Sequence, residues 1–293
     1  MVEEQVLVSI CMPVYNGALF IEEAFESILK QSYRNVEVII SDDASSDDTL
    51  VRCEAFKERS PFPVSIYKHQ QQRIGDNWNY CVQHANGGYI KFLFQDDTLE
   101  PTCLELMVNV LNEYQQVGLV ACKRKFLIEG DEANKSNQRW LQQFSNLQQE
   151  LEVTRVYPMR LSKNDLADPV FFSPPRNNKI GEPTAVMLRR TAMEKVGWFN
   201  TQLKQALDYE YWYRMMKQFD IILLEQALVS FRLHAQQATQ VHLHDGLDEK
   251  KQWRKLLFTQ FFQFLNPELQ DNLRTQFSLR TRLIRKCKRL LGV

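Results

Sequence analysis

The sequence predicts an α/β fold with a mostly parallel sheet. Two observations carry that prediction. Short, nearly continuous apolar runs read as strands covered on both faces, and apolar residues at helical spacing fill the stretches between them. Their alternation over the first 122 residues argues for βαβ units. At 293 residues the chain is long enough for one large domain or two small ones. With 44% hydrophobic and 25% charged residues, and only 10 Gly and 10 Pro, it has an ordinary globular profile, unlike a disordered, collagen-like or coiled-coil chain.

Val6 to Met12 is the first strand-like run. It ends at Pro13, and Asn16-Gly17 makes a turn. Ile21, Phe25, Ile28 and Leu29 then mark one face of a helix. Val36 to Ile40 is a second strand, stopped by the polar run Ser41 to Thr49, which suits a cap for the next helix. Val64 to Tyr67 is a third strand. Trp78, Val82 and Ala85 suit a helix ended by Gly87-Gly88. Tyr89 to Phe94 is a fourth strand, broken off by Gln95-Asp96-Asp97. Pro101 fits the first turn of a helix whose face is Leu104, Met107, Val108 and Leu111, and Val117 to Cys122 is a fifth strand. Between 123 and 180 no clean period survives, so helical pieces and functional loops over the sheet's working edge are expected. Thr184 to Leu188 returns to strand and Tyr209 to Met216 to helix. From about residue 249 the pattern is helical, with Trp253, Leu256, Leu257, Phe261 and Phe264 on one stripe. The expected organisation is a main unit over 1–235, divided into 1–122 and 123–235, and a C-terminal helical extension over 236–293.

Lysine plus arginine and aspartate plus glutamate both number 36, so the net charge is zero. That argues against a nucleic-acid partner gathered by a whole-molecule field. The six cysteines, Cys11, Cys53, Cys81, Cys103, Cys122 and Cys287, form no CxxC pair and read as buried free thiols in a reducing compartment. The N-terminus is acidic and carries no visible signal peptide. No run approaches the ~18 apolar residues of a membrane span. A cytoplasmic location is expected, or attachment to the inner face of a membrane.

In an open parallel sheet, ligands bind beyond the carboxyl ends of the strands. Two aspartate pairs fall there, Asp42-Asp43 after the second strand and Asp96-Asp97 after the fourth. Adjacent carboxylates repel unless a cation, or donors such as ribose hydroxyls, compensates them. Hard oxygen ligands favour Mg²⁺ or Mn²⁺, ions that usually carry substrate phosphates. The structural alternative is that each pair caps the following helix. Together the pairs point to a nucleoside-diphosphate site.

The segments VSICMPVYNGALFIEEAFESILKQS, VEVIISDDASSDDT and GGYIKFLFQDD, with Gly75, Asn79 and Gly88 between them, resemble the nucleotide-binding half of an inverting family 2 glycosyltransferase. The resemblance runs, with a gap, from about residue 6 to about 235 and implies the glycosyltransferase A fold, a Rossmann-like sheet with its sugar-nucleotide site at the strand ends. It implies that Pro13 and Tyr15 line the base pocket, that Asp43 accepts a hydrogen bond from the base, and that Asp42 supports that loop. Asp96 would hold the ribose or the metal shell, and Asp97 would ligate the Mn²⁺ or Mg²⁺ that bridges the diphosphate. Gln95 stands where the family often has an acid. Arg73 is placed to reach the phosphates or to stand as a solvated loop charge.

Gly181 to Ala185, Val196 to Phe199 and Leu207 to Arg214 are similar to the family's acceptor-side segment, where an Asp opening a helix is the general base. Asp208 is that residue here, although Leu207 replaces the family's common Glu. Glu210 and Arg214 share a helix face and read as a structural ion pair. Ser230 to His234 resembles the family's Arg-x-His element, which makes His234 a candidate metal or diphosphate contact. His242 and His244 read as loop residues.

The implied enzyme is a metal-dependent inverting glycosyltransferase that moves one sugar from a nucleoside-diphosphate sugar to a glycan or lipid-linked acceptor, in cell-surface polysaccharide or glycoconjugate assembly. The family's processive members add a Q-x-x-R-W element that is not present here. Gln95 and Leu207 keep open a catalytically silent sugar-nucleotide-binding or partner subunit. A nucleotidyltransferase would need a Gly-rich basic loop where Pro13-Val14-Tyr15-Asn16 stands, and no G-x-G-x-x-G supports a dinucleotide enzyme. Donor sugar, acceptor and linkage depend on residues 123–180, where no motif is visible. Finally, Ser278 to Val293 holds six basic residues and no acid. As a basic amphipathic helix it suits an anionic membrane surface, or equally the body of the protein or a partner subunit, as in a homo-oligomer.

Overall fold

The first strands read as unbroken apolar runs because both of their faces are covered. β1 (Val8–Val14) and β2 (Val36–Asp42) are buried at every position. The computed structural model describes residues 5–130, 135–172, 177–234 and 246–278. Along the chain, α1 (Ile21–Leu29) joins β1 to β2. Next come α2 (Thr49–Arg59), β3 (Val64–Lys68), α3 (Ile74–His84) and β4 (Tyr89–Phe92). They are followed by β5 (Thr98–Leu99), α4 (Cys103–Glu113), β6 (Val117–Ile128), α5 (Lys135–Phe144), α6 (Gln149–Glu152) and β7 (Met159–Leu161). β8 (Val186–Arg189), α7 (Arg190–Val196), α8 (Leu207–Met216) and β9 (Asp220–Leu233) complete the sheet, and α9 (Gly246–Leu256) and α10 (Pro267–Phe277) follow it.

The strand order is β3-β2-β1-β4-β8-β6-β9-β5, with β7 also on β9. β1 to β4, β6 and β9 point the same way, and β5, β7 and β8 run against them. The sheet is therefore mostly parallel, as expected. Alternation along the strands divides two cores. Val8, Ile10 and Met12 face α1, α2 and α4 with Phe25, Phe56 and Met107, while Cys11 and Ile39 face α3 and α8 with Trp78 and Tyr211.

Several boundaries differ from the sequence reading, each for a local reason. β5 is two residues long and leaves no period. β6 runs on through Lys123, Arg124 and Lys125, whose charges mimic the end of a strand. β9 hides behind Glu225 and Gln226, exposed where its register against Cys122 and Lys123 shifts. α3 stops at His84, before the glycines. Gly87 instead allows a close approach, since a Cβ there would lie 2.6 Å from Ser9 N. The polar run after β2 does cap α2, through Asp47, whose Oδ1 accepts from Thr49 N (3.0 Å), although the N-cap residue, Asp48, makes no cap bond itself.

The C-terminal helices join the second core. Trp253 packs edge-on against Tyr209 at 5.0 Å, and Leu257 and Phe261 are buried in the same cluster. Five cysteines are free and buried, and burial pushes the Cys53 and Cys122 thiols up to about 12, away from nucleophilic use. Among the described residues no helix is long and apolar enough to cross a membrane. The basic tail beyond Ser278, Cys287, His242 and His244 lie outside the described residues.

Candidate active site

At the carboxyl ends of β1 and β2 the loops lock together. Asn16 N donates to Ser45 Oγ (2.9 Å), Gly17 N to Thr49 Oγ1 (2.8 Å) and Ala18 N to Asp47 Oδ2 (3.1 Å). Ser46 N donates back to Asn16 Oδ1 (2.8 Å). This is where the serines and acids of the polar run are used. Tyr15, exposed at 44%, is held by its backbone. Its N–H donates to Gln95 Oε1 (2.8 Å), and Gln95 Nε2 donates to its carbonyl (2.9 Å). Gly17 leaves room for this clamp, since a Cβ there would meet Gln95 Oε1 at 2.3 Å and push the amide aside. Pro13, expected along a base pocket, is buried within β1, past the stretch paired with β4.

Asp42 closes β2 in a buried position. Its Oδ2 accepts from Ser45 N (3.0 Å), and its Oδ1 has no hydrogen-bond partner. Asp43 Oδ1 accepts from Gln72 N (2.6 Å) and lies 3.4 Å from His69 Nδ1. Burial raises the Asp43 carboxyl above its ordinary range, and the Gln72 N–H and His69 oppose the rise. His69 is itself fixed by Ser41 Oγ (2.9 Å) and Asn77 Oδ1 (3.2 Å). Arg73 is exposed at the entry to α3, next to Gln72.

The second aspartate pair divides. Asp97 is 1% exposed and both its oxygens are used: Thr184 Oγ1 donates to Oδ2 (2.6 Å) and Arg232 N to Oδ1 (3.1 Å). Burial, with Asp96 adding to it, holds its carboxyl well above the usual range. Asp96 is more open. Its Oδ2 lies 2.9 Å from His234 Nε2, with side-chain exposures of 20% and 11%. The sequence expectation gave the metal to Asp97. The structure sends that carboxylate inward, because the Thr184 hydroxyl and the Arg232 amide wait there, and leaves Asp96 with His234 at the opening. Arg232 reinforces the arrangement, donating from Nε to Asp96 O (2.9 Å) and from Nη2 to Glu23 Oε2 (2.7 Å). Among the described residues no third His, Cys, Asp or Glu forms a metal cluster with them.

Asp208 opens α8. Tyr209 N donates to its Oδ1 (2.7 Å) and Asn178 Nδ2 to its Oδ2 (2.8 Å). Asn178 Nδ2 also donates to Gly181 O (2.9 Å), to which Trp212 Nε1, one helical turn beyond Asp208, donates as well (2.9 Å). Burial pushes the Asp208 carboxyl up to about 7, with Glu182 adding to the rise and the Tyr209 N–H and Asn178 amide restraining it. Glu182 charge also bears on Asp97, so one residue links the two acidic centres. The expected Glu210–Arg214 pair is present at 2.7 Å, and Arg214 holds Trp198 O (2.8 Å).

The profile of the family described as Glycosyl transferase family 2 matches residues 9–197. This chain belongs to that family. It is a glycosyltransferase. An uncharacterized protein of Mycobacterium tuberculosis is 31% identical to this glycosyltransferase over 214 residues, 72% of this chain and 62% of the relative's own length. The crystal structure of S. aureus TarS 1–349 in complex with UDP-GlcNAc aligns with a TM-score of 0.63 at 18% identity, covering 93% of this chain and 73% of that one. The mannosyltransferase PcManGT from Pyrobaculum calidifontis, in complex with GDP-Man and Mn²⁺, aligns at 0.58 and 19% identity, covering 89% and 64%. These likenesses carry the fold, the glycosyltransferase A type.

Four residues of this glycosyltransferase escaped the sequence reading. Gln95 looked like a missing acid, yet an ionised carboxylate has no N–H to give Tyr15 O. His69 stood in a loop without a motif. Asn178 lay in the stretch without a period. Glu249 comes from α9, where its Oε1 accepts from Lys204 N (3.0 Å), Gln205 N (2.8 Å) and Ala206 N (2.7 Å) at the entrance to α8. The one signal for Glu249 was its place four residues before Trp253 on the apolar stripe. Asn79, expected as framework, joins α3 to the acceptor side through two bonds with Phe199, at 3.1 and 3.0 Å.

Proposed function

We propose that this glycosyltransferase transfers one sugar, with inversion, from a nucleoside-diphosphate sugar to a hydroxyl of a glycan or lipid-linked acceptor, in cell-surface polysaccharide or glycoconjugate assembly. The observation that carries the reading is Asp208, a carboxylate poised near neutrality and oriented on both oxygens. It receives the acceptor proton as the acceptor oxygen bonds to the anomeric carbon. The bond from that carbon to the diphosphate breaks on the opposite face, and the nucleoside diphosphate leaves with the electron pair. Tyr15 flanks the base. Asp43 Oδ2 takes a hydrogen bond from it, with Asp42 beneath, and Arg73 reaches toward the phosphates.

Asp96 and His234 would hold Mn²⁺ or Mg²⁺, which supplies positive charge against the departing diphosphate. One carboxylate and one imidazole fit a cation whose other positions are filled by phosphate oxygens and water. The imidazole favours Mn²⁺. Asp97 orients Thr184 and the Arg232 backbone behind that pair. Donors of this class are named for TarS and PcManGT, and Mn²⁺ for PcManGT.

Thermal-shift measurements with UDP, GDP, dTDP and CDP, each with and without Mn²⁺, test the reading. A diphosphate at ~100 times its dissociation constant should stabilise the fold by roughly 2.7 kcal/mol. We expect one of them to do so only with Mn²⁺, and Asp96→Ala to lose the effect. If no diphosphate moves the melting of the folded protein, the donor reading is wrong.

A further inference from the structure

Asn178 lies in a stretch without a sequence period, yet every polar atom of its side chain is engaged. Its Oδ1 accepts from Ile180 N (3.0 Å) and Gly181 N (3.0 Å). Its Nδ2 donates to Gly181 O (2.9 Å) and to Asp208 Oδ2 (2.8 Å). An amide oxygen only accepts and an amide nitrogen only donates. The two backbone N–H groups therefore decide which end of the amide faces Asp208, and turning it over would break all four bonds.

The loop that carries Asn178 is pinned on two sides. Toward α8, Trp212 Nε1 donates to the same Gly181 O (2.9 Å), and the Tyr213 hydroxyl donates to Asn177 O. Toward α6, Gln148 Nε2 donates to Lys179 O (3.2 Å) and Ile180 O (2.8 Å), and Lys179 Nζ pairs with Glu150 Oε2 at 3.1 Å. A donor held this way meets the carboxylate without reordering, and a hydrogen bond to an ionised group is about twice as strong as one between neutral groups. Asn178 thus favours the ionised carboxyl against the burial that disfavours it. None of the other titratable side chains around Asp208 helps. Glu182 repels its charge, while Tyr209, which feels Glu249, and Tyr213 are phenols that burial keeps protonated.

We propose that Asn178 is a positioning residue for the transfer, which aims the Asp208 carboxylate and keeps it ready to accept a proton through one N–H that cannot turn away. The proposal rests on the reading of Asp208 as the base.

Two variants separate this role from mere support of the loop. Asn178→Asp keeps an acceptor oxygen for Ile180 N and Gly181 N but offers Asp208 no N–H. Asn178→Ala removes both functions. NMR titration of the full chain, labelled with ¹³C at aspartate side-chain carboxyls, reads the protonation midpoint of Asp208, whose signal is assigned by its absence in Asp208→Asn. We expect the midpoint to rise by about one pH unit or more in Asn178→Ala, the loss of one charge-assisted bond. In Asn178→Asp two facing carboxyls should titrate in two coupled steps, the second at higher pH still. A midpoint that stays or falls in Asn178→Ala, or a single unshifted step in Asn178→Asp, would overturn the proposal. Release of UDP from UDP-GlcNAc and of GDP from GDP-mannose, the donors named for TarS and PcManGT, is then followed against pH. Its rising limb should be displaced together with the midpoint. A midpoint that moves under a limb that does not would sink the base reading itself and take Asn178 out of the transfer, whereas an unmoved midpoint with a wild-type limb at about 7 would remove Asn178 alone.

Discussion

Asp208 places two opposite demands on one carboxyl group. Its pKa, raised by burial to about 7, means the folded protein holds a proton that the unfolded chain has released above its ordinary 3.8. Stability contributed at this site is present below that ordinary value and declines as pH rises from about 4 to about 7. In the proposed role as base Asp208 acts in its ionised form, so activity should climb through the same upper limit. Asp208→Asn therefore separates the two. We expect turnover to fall about 10²- to 10⁴-fold, while the melting temperature at pH 8 rises above wild type. A variant that loses activity and also loses stability at pH 8 would mean that the carboxylate is structural. Asp97 differs although it too is a raised carboxyl, because its oxygens are spent on Thr184 and Arg232. Adjacent letters in a sequence give no hint of which aspartate turns inward.

The elements show why some of the site was legible and some was not. Strand-end acids were readable because each follows an apolar run whose length and direction are set by local pattern, whereas Asp208 follows no such run and was reached through the family resemblance. Asp42, Asp43 and Asp96 were located on that basis and on the family resemblance. Contacts between elements were not readable, since Asn178, His69 and Glu249 gain their roles only when distant segments meet. Glu249 is the sharpest case: α8 begins at Leu207 after Ala206, a residue without a capping side chain, and the N–H groups of Lys204, Gln205 and Ala206 that lead into it are met by a carboxylate from another helix. Glu249→Ala should cost about 1–3 kcal/mol in urea unfolding and lower turnover by letting the start of α8 shift. Glu249→Gln, which retains an acceptor oxygen, should recover part of both. Equal turnover in all three proteins would detach α9 from the site.

For the molecule as a whole, the boundary expected near residue 235 is crossed by a continuous core. Phe261, Leu257 and Trp253 sit in one cluster with Tyr211, Trp212 and Phe171. Phe261→Ala should destabilise the protein by about 3–5 kcal/mol, and tryptophan fluorescence and nucleotide protection should be lost in a single transition. Two separated transitions would show that the extension is an independent unit. Asn79 and Phe199 make the same point inside the transferase, binding α3 to the segment between α7 and α8 through backbone and amide.

The clasp made by Glu249 also sets an order in time. During synthesis the helix bearing Asp208 leaves the ribosome before the carboxylate that closes over its entrance. The loops after β1 and β2 bond to each other within the first 49 residues, whereas the approach to Asp208 is complete only once α9 has been made.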